Sequence, residues 1–192
     1  MGRKSLAEKR INQILDAFEQ GIIEHGVEGV SLQQTAVLAG VNLGMIHHYI
    51  GRRDDLLQAM VTRLGESAEA EMAELVAEVP AEARLPVLLD AFFEDDESHT
   101  SQLIDQLFAA SERQPAIKAL LREIHAVYVG IWAEEISRLS PAASEAECQA
   151  TAFTVLSLAY GSGILGSVGF GAGWQTAVKQ TAERLISELV SD

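Results

Sequence analysis

The chain has 192 residues, 48% of them hydrophobic, with a formal net charge of −14, a composition that buries a sizeable core and excludes intrinsic disorder. Its single cysteine, Cys148, excludes an internal disulfide framework and any multi-cysteine metal site. No apolar run reaches the roughly 18–20 residues of a membrane span, and Met1-Gly2-Arg3-Lys4-Ser5 leads into charged sequence rather than an apolar signal core, so a cytoplasmic protein with no membrane attachment is expected.

The periodicity is helical almost throughout. Ile11, Leu15, Phe18 and Ile22 form one apolar stripe of a helix over about 5–25, stopped by Gly26 and Gly29. Ser31-Leu-Gln-Gln34 has capping-box spacing and predicts a short helix over 32–39. Gly40 interrupts, Asn42 caps, and a third helix covers about 43–49. After Gly51-Arg52-Arg53, Asp54 and Asp55 stand in the first turn of a long helix reaching about Ala77, where carboxylates favour the helix dipole. Further helices are expected over 81–97, 101–113, 115–139, 144–168 and 174–190, separated by Pro80, Pro115, Ser140-Pro141 and the glycine-rich 169–173. The fold class is all-α, with about nine helices.

Charge divides along this chain. Residues 1–63 carry seven Lys/Arg and seven Asp/Glu, whereas residues 64–192 carry seven bases against twenty-one acids, and so the whole −14. An acidic body repels phosphate, so only the first third suits an approach to nucleic acid. Within it, Ala36, Gly40 and Ile46 have helix-turn-helix spacing. Ala36 is small where two helices cross, Gly40 tolerates positive φ in the turn, and Ile46 anchors the second helix in the core. Val41 and Leu38 are expected to fill in around them. The outward face presents Leu43, Gly44, Met45, His47, His48 and Tyr49, short enough for a major groove about 12 Å wide.

On these residues the chain resembles the TetR family of transcriptional regulators. The matching stretch is Gly26-x-x-Gly-Val-Ser31, Ala36, Ala39-Gly-Val-Asn42, Gly44 and Arg53-Asp-Asp-Leu-Leu57. It departs from the family pattern in His47-His48-Tyr49-Ile50, where Tyr-x-His-Phe is usual, in Arg53 for Lys and in Thr35 for Ile. The resemblance implies a helix-turn-helix DNA-binding domain over 1–52 and an effector-binding and dimerisation domain over 53–192. It implies that Gln33, Asn42, Leu43, Gly44, Met45 and His48 face base edges. His47, Tyr49, Arg53 and the helix start at Ser31 would hold phosphates, with Arg3 and Lys4 as a loose arm near the minor groove.

In the acidic two thirds, His125, Tyr128 and Trp132 share a helix face, and Phe92, Phe93, Phe108, Phe153 and Tyr160 add aromatic area. The resemblance implies an effector cavity, with Phe93, Phe108, His125, Tyr128, Trp132 and Tyr160 as its candidates. Packed core is the competing reading for any one of them. Carboxylates of Glu94-Asp-Asp-Glu97 facing inward with Trp132 and Tyr128 would favour a cationic effector, although a solvated helix end is the plainer reading of that run and of His99. Small residues such as Ala150, Gly161 and Gly163 in the last two helices permit close approach, and the resemblance implies a homodimer there. A two-fold dimer matches a palindromic operator.

The expected function is a ligand-responsive regulator, a repressor released from double-stranded DNA by a small-molecule effector. The rival is a helical homodimeric interaction module that has lost operator binding. Catalysis, a cofactor and a metal are not expected. Cys148 has no nearby His in sequence, Gly161–Gly173 lacks a following Lys-Ser/Thr, and His47 and His48 project about 100° apart on a helix.

Overall fold

The computed structural model describes residues 3–93, 99–171 and 173–191, with side chains for these except residues 3–5, 69, 76, 190 and 191. Among the described residues the chain is all-helical: α1 (Arg3–His25), α2 (Leu32–Leu38), α3 (Leu43–Tyr49), α4 (Arg53–Ala77), α5 (Ala81–Phe93), α6 (His99–Ser111), α7 (Pro115–Leu139), α8 (Glu145–Ser167) and α9 (Gln175–Ser191). The acidic run Glu94-Asp-Asp-Glu97 lies outside the described residues.

The chain forms two compact units, 1–68 with 97–123 and 69–96 with 124–192. Helices α4 and α7 each contribute to both, so this division cuts across helices, whereas the functional division expected at residues 52 and 53 falls between them.

In the first unit, α1 turns Ile14, Leu15, Phe18 and Ile22 inward. The helix ends at Gly26, whose φ of +76° is the left-handed conformation glycine adopts without steric cost. Ser31 then caps α2 in a complete capping box with Gln34, and Asn42 caps α3. Gly40, at φ +62°, makes the turn between them. A side chain at Gly29 would collide with the His25 carbonyl oxygen, so the connection before α2 also needs glycine there.

The second unit packs α5, α8 and α9 with the ends of α4 and α7 around Leu88, Trp132, Ile136, Ala152 and Val155, all fully buried. Its α8 corrects one expectation: by length and composition it is apolar enough to cross a membrane. The cause is a long run of Ala, Gly, Leu and Val beyond the Glu145 and Glu147 first turn. Cys148, Ala152, Val155, Leu156 and Ala159 on this helix are buried within the unit.

Candidate nucleic-acid and effector sites

The α2–α3 pair is a helix-turn-helix held from behind. Ala36 is buried at the crossing, Ile46 is fully buried, and the Val41 amide donates to the Ala36 carbonyl at 3.0 Å. Thr35 is also fully buried, its hydroxyl donating to the Ser31 carbonyl, which accounts for a polar residue at an apolar register. Gln13 of α1 donates to the Ala39 carbonyl at 2.6 Å and ties the turn to α1. Leu38, expected to fill the core, is instead 45% exposed, and Val37 is 74% exposed, because α2 is too short to bury more than one face.

The candidate reading residues fall on one short stretch. Gln33, Asn42, Gly44, His47 and His48 are exposed, while Leu43, Met45 and Tyr49 are half-buried. Several are already occupied. The Asn42 side-chain oxygen accepts from the Met45 amide at 2.9 Å, leaving its amide nitrogen to donate. The Ser31 hydroxyl is spent on Gln34. Nδ1 of His47 lies 2.9 Å from the Gly51 carbonyl oxygen, which can only accept, so Nδ1 carries the proton. His48 and Tyr49 meet edge to face, 4.9 Å between centroids. The Arg53 guanidinium donates to the carbonyls of Val27 and Val30, a tertiary role that spacing alone did not announce. Arg3 and Lys4 open α1, and their side chains lie outside the described ones.

Behind the reading module, Glu19 is buried and joins three helices. Arg63 of α4 bonds it at 2.6 Å and Asp16 at 2.7 Å, and His99 at the start of α6 lies 3.5 Å away. His99 is thus a helix end, as expected, that also faces a carboxylate.

The second unit gathers five of the six predicted effector residues. His125 lies 4.9 Å from Tyr160 and 5.9 Å from Tyr128, centroid to centroid. Phe92 meets Tyr128 at 5.4 Å and Trp132 at 5.7 Å, both nearly perpendicular. Trp132 is fully buried, and its indole nitrogen has no acceptor among the described residues. Phe93 is buried in the same core cluster as Trp132, against which Phe92 and Tyr128 pack, whereas Phe108 belongs to the first unit. Phe92, absent from the six candidates, joins the cluster beside Phe93: it follows Leu88 by four residues, as Phe93 follows Leu89, on the inner face of α5. That register was a readable signal.

Electrostatics mark the tyrosines. Burial, and then the Glu71 carboxylate, push the Tyr128 hydroxyl above its ordinary range. Burial, and then Tyr128, push Tyr160 up further. Nothing in the sequence pattern pointed to Glu71. Both shifts favour the neutral phenol, so the stability they carry is complete below the unfolded pKa of about 10 and is lost as pH rises through the folded values. Alkaline titration followed at the tyrosinate absorbance should therefore show Tyr128 and Tyr160 ionising late, together with loss of helical circular dichroism. Ionisation of both near pH 10 in the folded protein would contradict this placement.

No protein-family model matches the chain. It is 31% identical over 118 residues to the HTH-type transcriptional regulator BetI of Cronobacter sakazakii, a match that spans 59% of this chain and 58% of that protein. A TetR transcription regulator from Haloarcula marismortui superposes with a TM-score of 0.78 at 18% identity, over 94% of this chain and 98% of the other. The chain has the TetR fold and resembles HTH-type regulators such as BetI in sequence. Another protein with this TetR fold, described as a transcriptional regulator from Saccharomonospora viridis and solved in complex with choline, superposes with a TM-score of 0.78 at 17% identity, over 94% and 96% of the two chains. Each of these three proteins is described as a transcriptional regulator. Among the described residues, no group of His, Cys, Asp and Glu is arranged to hold a metal ion.

Proposed function

We propose that this chain is a TetR-type ligand-responsive DNA-binding repressor that acts as a homodimer on a palindromic operator and is released by an organic cation. The carrying observation is the α2–α3 helix-turn-helix, with its core face closed by Ile46 and its outer face left to Gln33, Asn42, Met45 and His48. Gln33 suits bidentate bonding to adenine, and Met45 or Leu43 suits a thymine methyl.

Two-fold pairing is favoured by the end of α8 and the segment after it. Ile164, Leu165, Val168, Phe170 and Trp174 are each at least half exposed, an apolar patch of the kind that marks interaction surfaces. A dimer would also multiply the weak grip of an electrically neutral reading module through effective concentration.

The cationic effector is argued from rings and charge. Phe92, Tyr128, Trp132 and Tyr160 offer aromatic faces in perpendicular and tilted arrangements, and Glu71 acts on Tyr128. Aromatic faces attract quaternary ammonium groups. The choline held by the Saccharomonospora viridis protein supports the same class. Helix α4 shares both compact units, which makes it the natural connector.

Coupling is reciprocal: a ligand that releases DNA must itself be weakened by DNA. Calorimetric titration with choline and larger quaternary ammonium ions, with and without a bound duplex, tests the scheme. The expected result is at least a fivefold weaker affinity in the presence of DNA. Equal affinities would reject release by the ligand, and binding of neutral lipophiles but no cations would reject the effector class.

A further inference from the structure

The pair Arg52-Arg53 stands where the recognition helix gives way to α4, and its two members are placed differently. The Arg53 side chain is half-buried. Its Nη2 donates to the Val27 carbonyl and its Nε to the Val30 carbonyl at 3.4 Å. Val27 and Val30 are themselves buried, in the connection between α1 and α2 that is closed locally by the Gly29 amide donating to the Gly26 carbonyl. Buried carbonyls need donors, and a guanidinium fork reaches two of them at once where an ammonium presents a point charge. Ser31, the cap of α2, follows Val30 directly. The grip therefore fixes where α2 begins.

Arg52 is exposed. Its backbone is pinned on both sides: its own amide donates to the Asp55 carboxylate at 2.8 Å, and the preceding Gly51 carbonyl accepts from His47 at 2.9 Å. A fixed backbone with a solvent-facing guanidinium, three residues beyond the end of α3, is the arrangement a phosphate ligand needs. For Arg53 to serve a phosphate it would have to abandon two buried carbonyls.

We infer that Arg53 is a positioning residue that holds the α1–α2 connection and the start of α2, and that the phosphate contact at this end of the module belongs to Arg52. This rests on the DNA-binding reading above, and the test separates the two. Full-length protein is titrated with the duplex most enriched from a randomised pool over a range of salt concentrations, and amide exchange at Ser31–Gln34 is measured without DNA.

Arg52→Gln should lower the slope of log affinity against log salt by about 0.9 per subunit and leave exchange unchanged. Arg53→Lys, which keeps the charge but not the fork, should weaken binding about equally at every salt concentration and speed exchange at Ser31–Gln34. The inference is overturned if Arg52→Gln leaves the slope intact, or if Arg53→Lys leaves exchange intact. Wild-type protein that binds no duplex overturns the DNA-binding reading and the Arg52 assignment together, and the Arg53 grip is then judged by the exchange rates alone.

Discussion

Ile46→Ala is expected to destabilise the first unit by about 2–5 kcal/mol, the range for truncating a large aliphatic side chain in a packed interior. Ile46 is fully buried and is the sole member of α3 that is. The helix has seven residues, too few to persist without tertiary packing. Removing the anchor therefore costs more than a cavity, since it frees the recognition helix to rotate or fray. DNA binding should fall by more than the change in folded fraction accounts for. Met45→Ala, on the outer face, should leave the denaturation midpoint nearly unchanged while weakening binding. Chemical denaturation of both variants checks the contrast. Equal midpoints for Ile46→Ala and wild type would mean that α3 is held by something other than its core face.

Arg84→Met should destabilise the second unit by about 3–5 kcal/mol, the usual cost of removing one partner from a buried ion pair. Glu135 is 4% exposed, with Arg84 Nη1 at 3.3 Å and Arg138 Nη1 at 3.9 Å from the same oxygen. Arg84 also donates to the Val79 carbonyl at 2.9 Å, so its loss leaves two acceptors short of a donor. The low end of the range is expected because Arg138 remains and Arg84 is itself partly exposed. The double variant Arg84→Met/Glu135→Leu should recover most of the loss, because an apolar pair carries no buried charge to leave uncompensated. Thermal unfolding of the two variants measures this. A double variant no more stable than Arg84→Met would show that the pair acts through packing or through Val79 instead of through its charge.

Local chemistry made the fold readable. Gly26 and Gly40 take the positive φ their positions suggest, Ser31 with Gln34 closes a capping box, and Asn42 caps α3. The long helices follow from apolar period and from Pro and Gly breaks, and α4 and α7 begin and end where the pattern places them. What the sequence withheld is what depends on distant partners. A periodicity argument places Arg53 on the surface side of a helix start but says nothing of the Val27 and Val30 carbonyls. It places Leu38 on an apolar register without knowing how little α2 has to pack against. The aromatic cluster was legible by residue type and blurred in membership. Phe92 joins the cluster beside Phe93, and Phe108 folds with the first unit. Glu71 enters only through three-dimensional proximity to Tyr128.

The central claim is that the α2–α3 face reads a duplex as one half of a two-fold pair. Selection of full-length protein against a randomised duplex pool tests it most directly. The account predicts enrichment of an inverted repeat whose half-sites lie about one helical turn, or a multiple of it, apart, with preference at particular bases relaxed by Gln33→Ala. A pool that emerges with no preferred sequence, or an unrepeated single site bound by one chain, would contradict it.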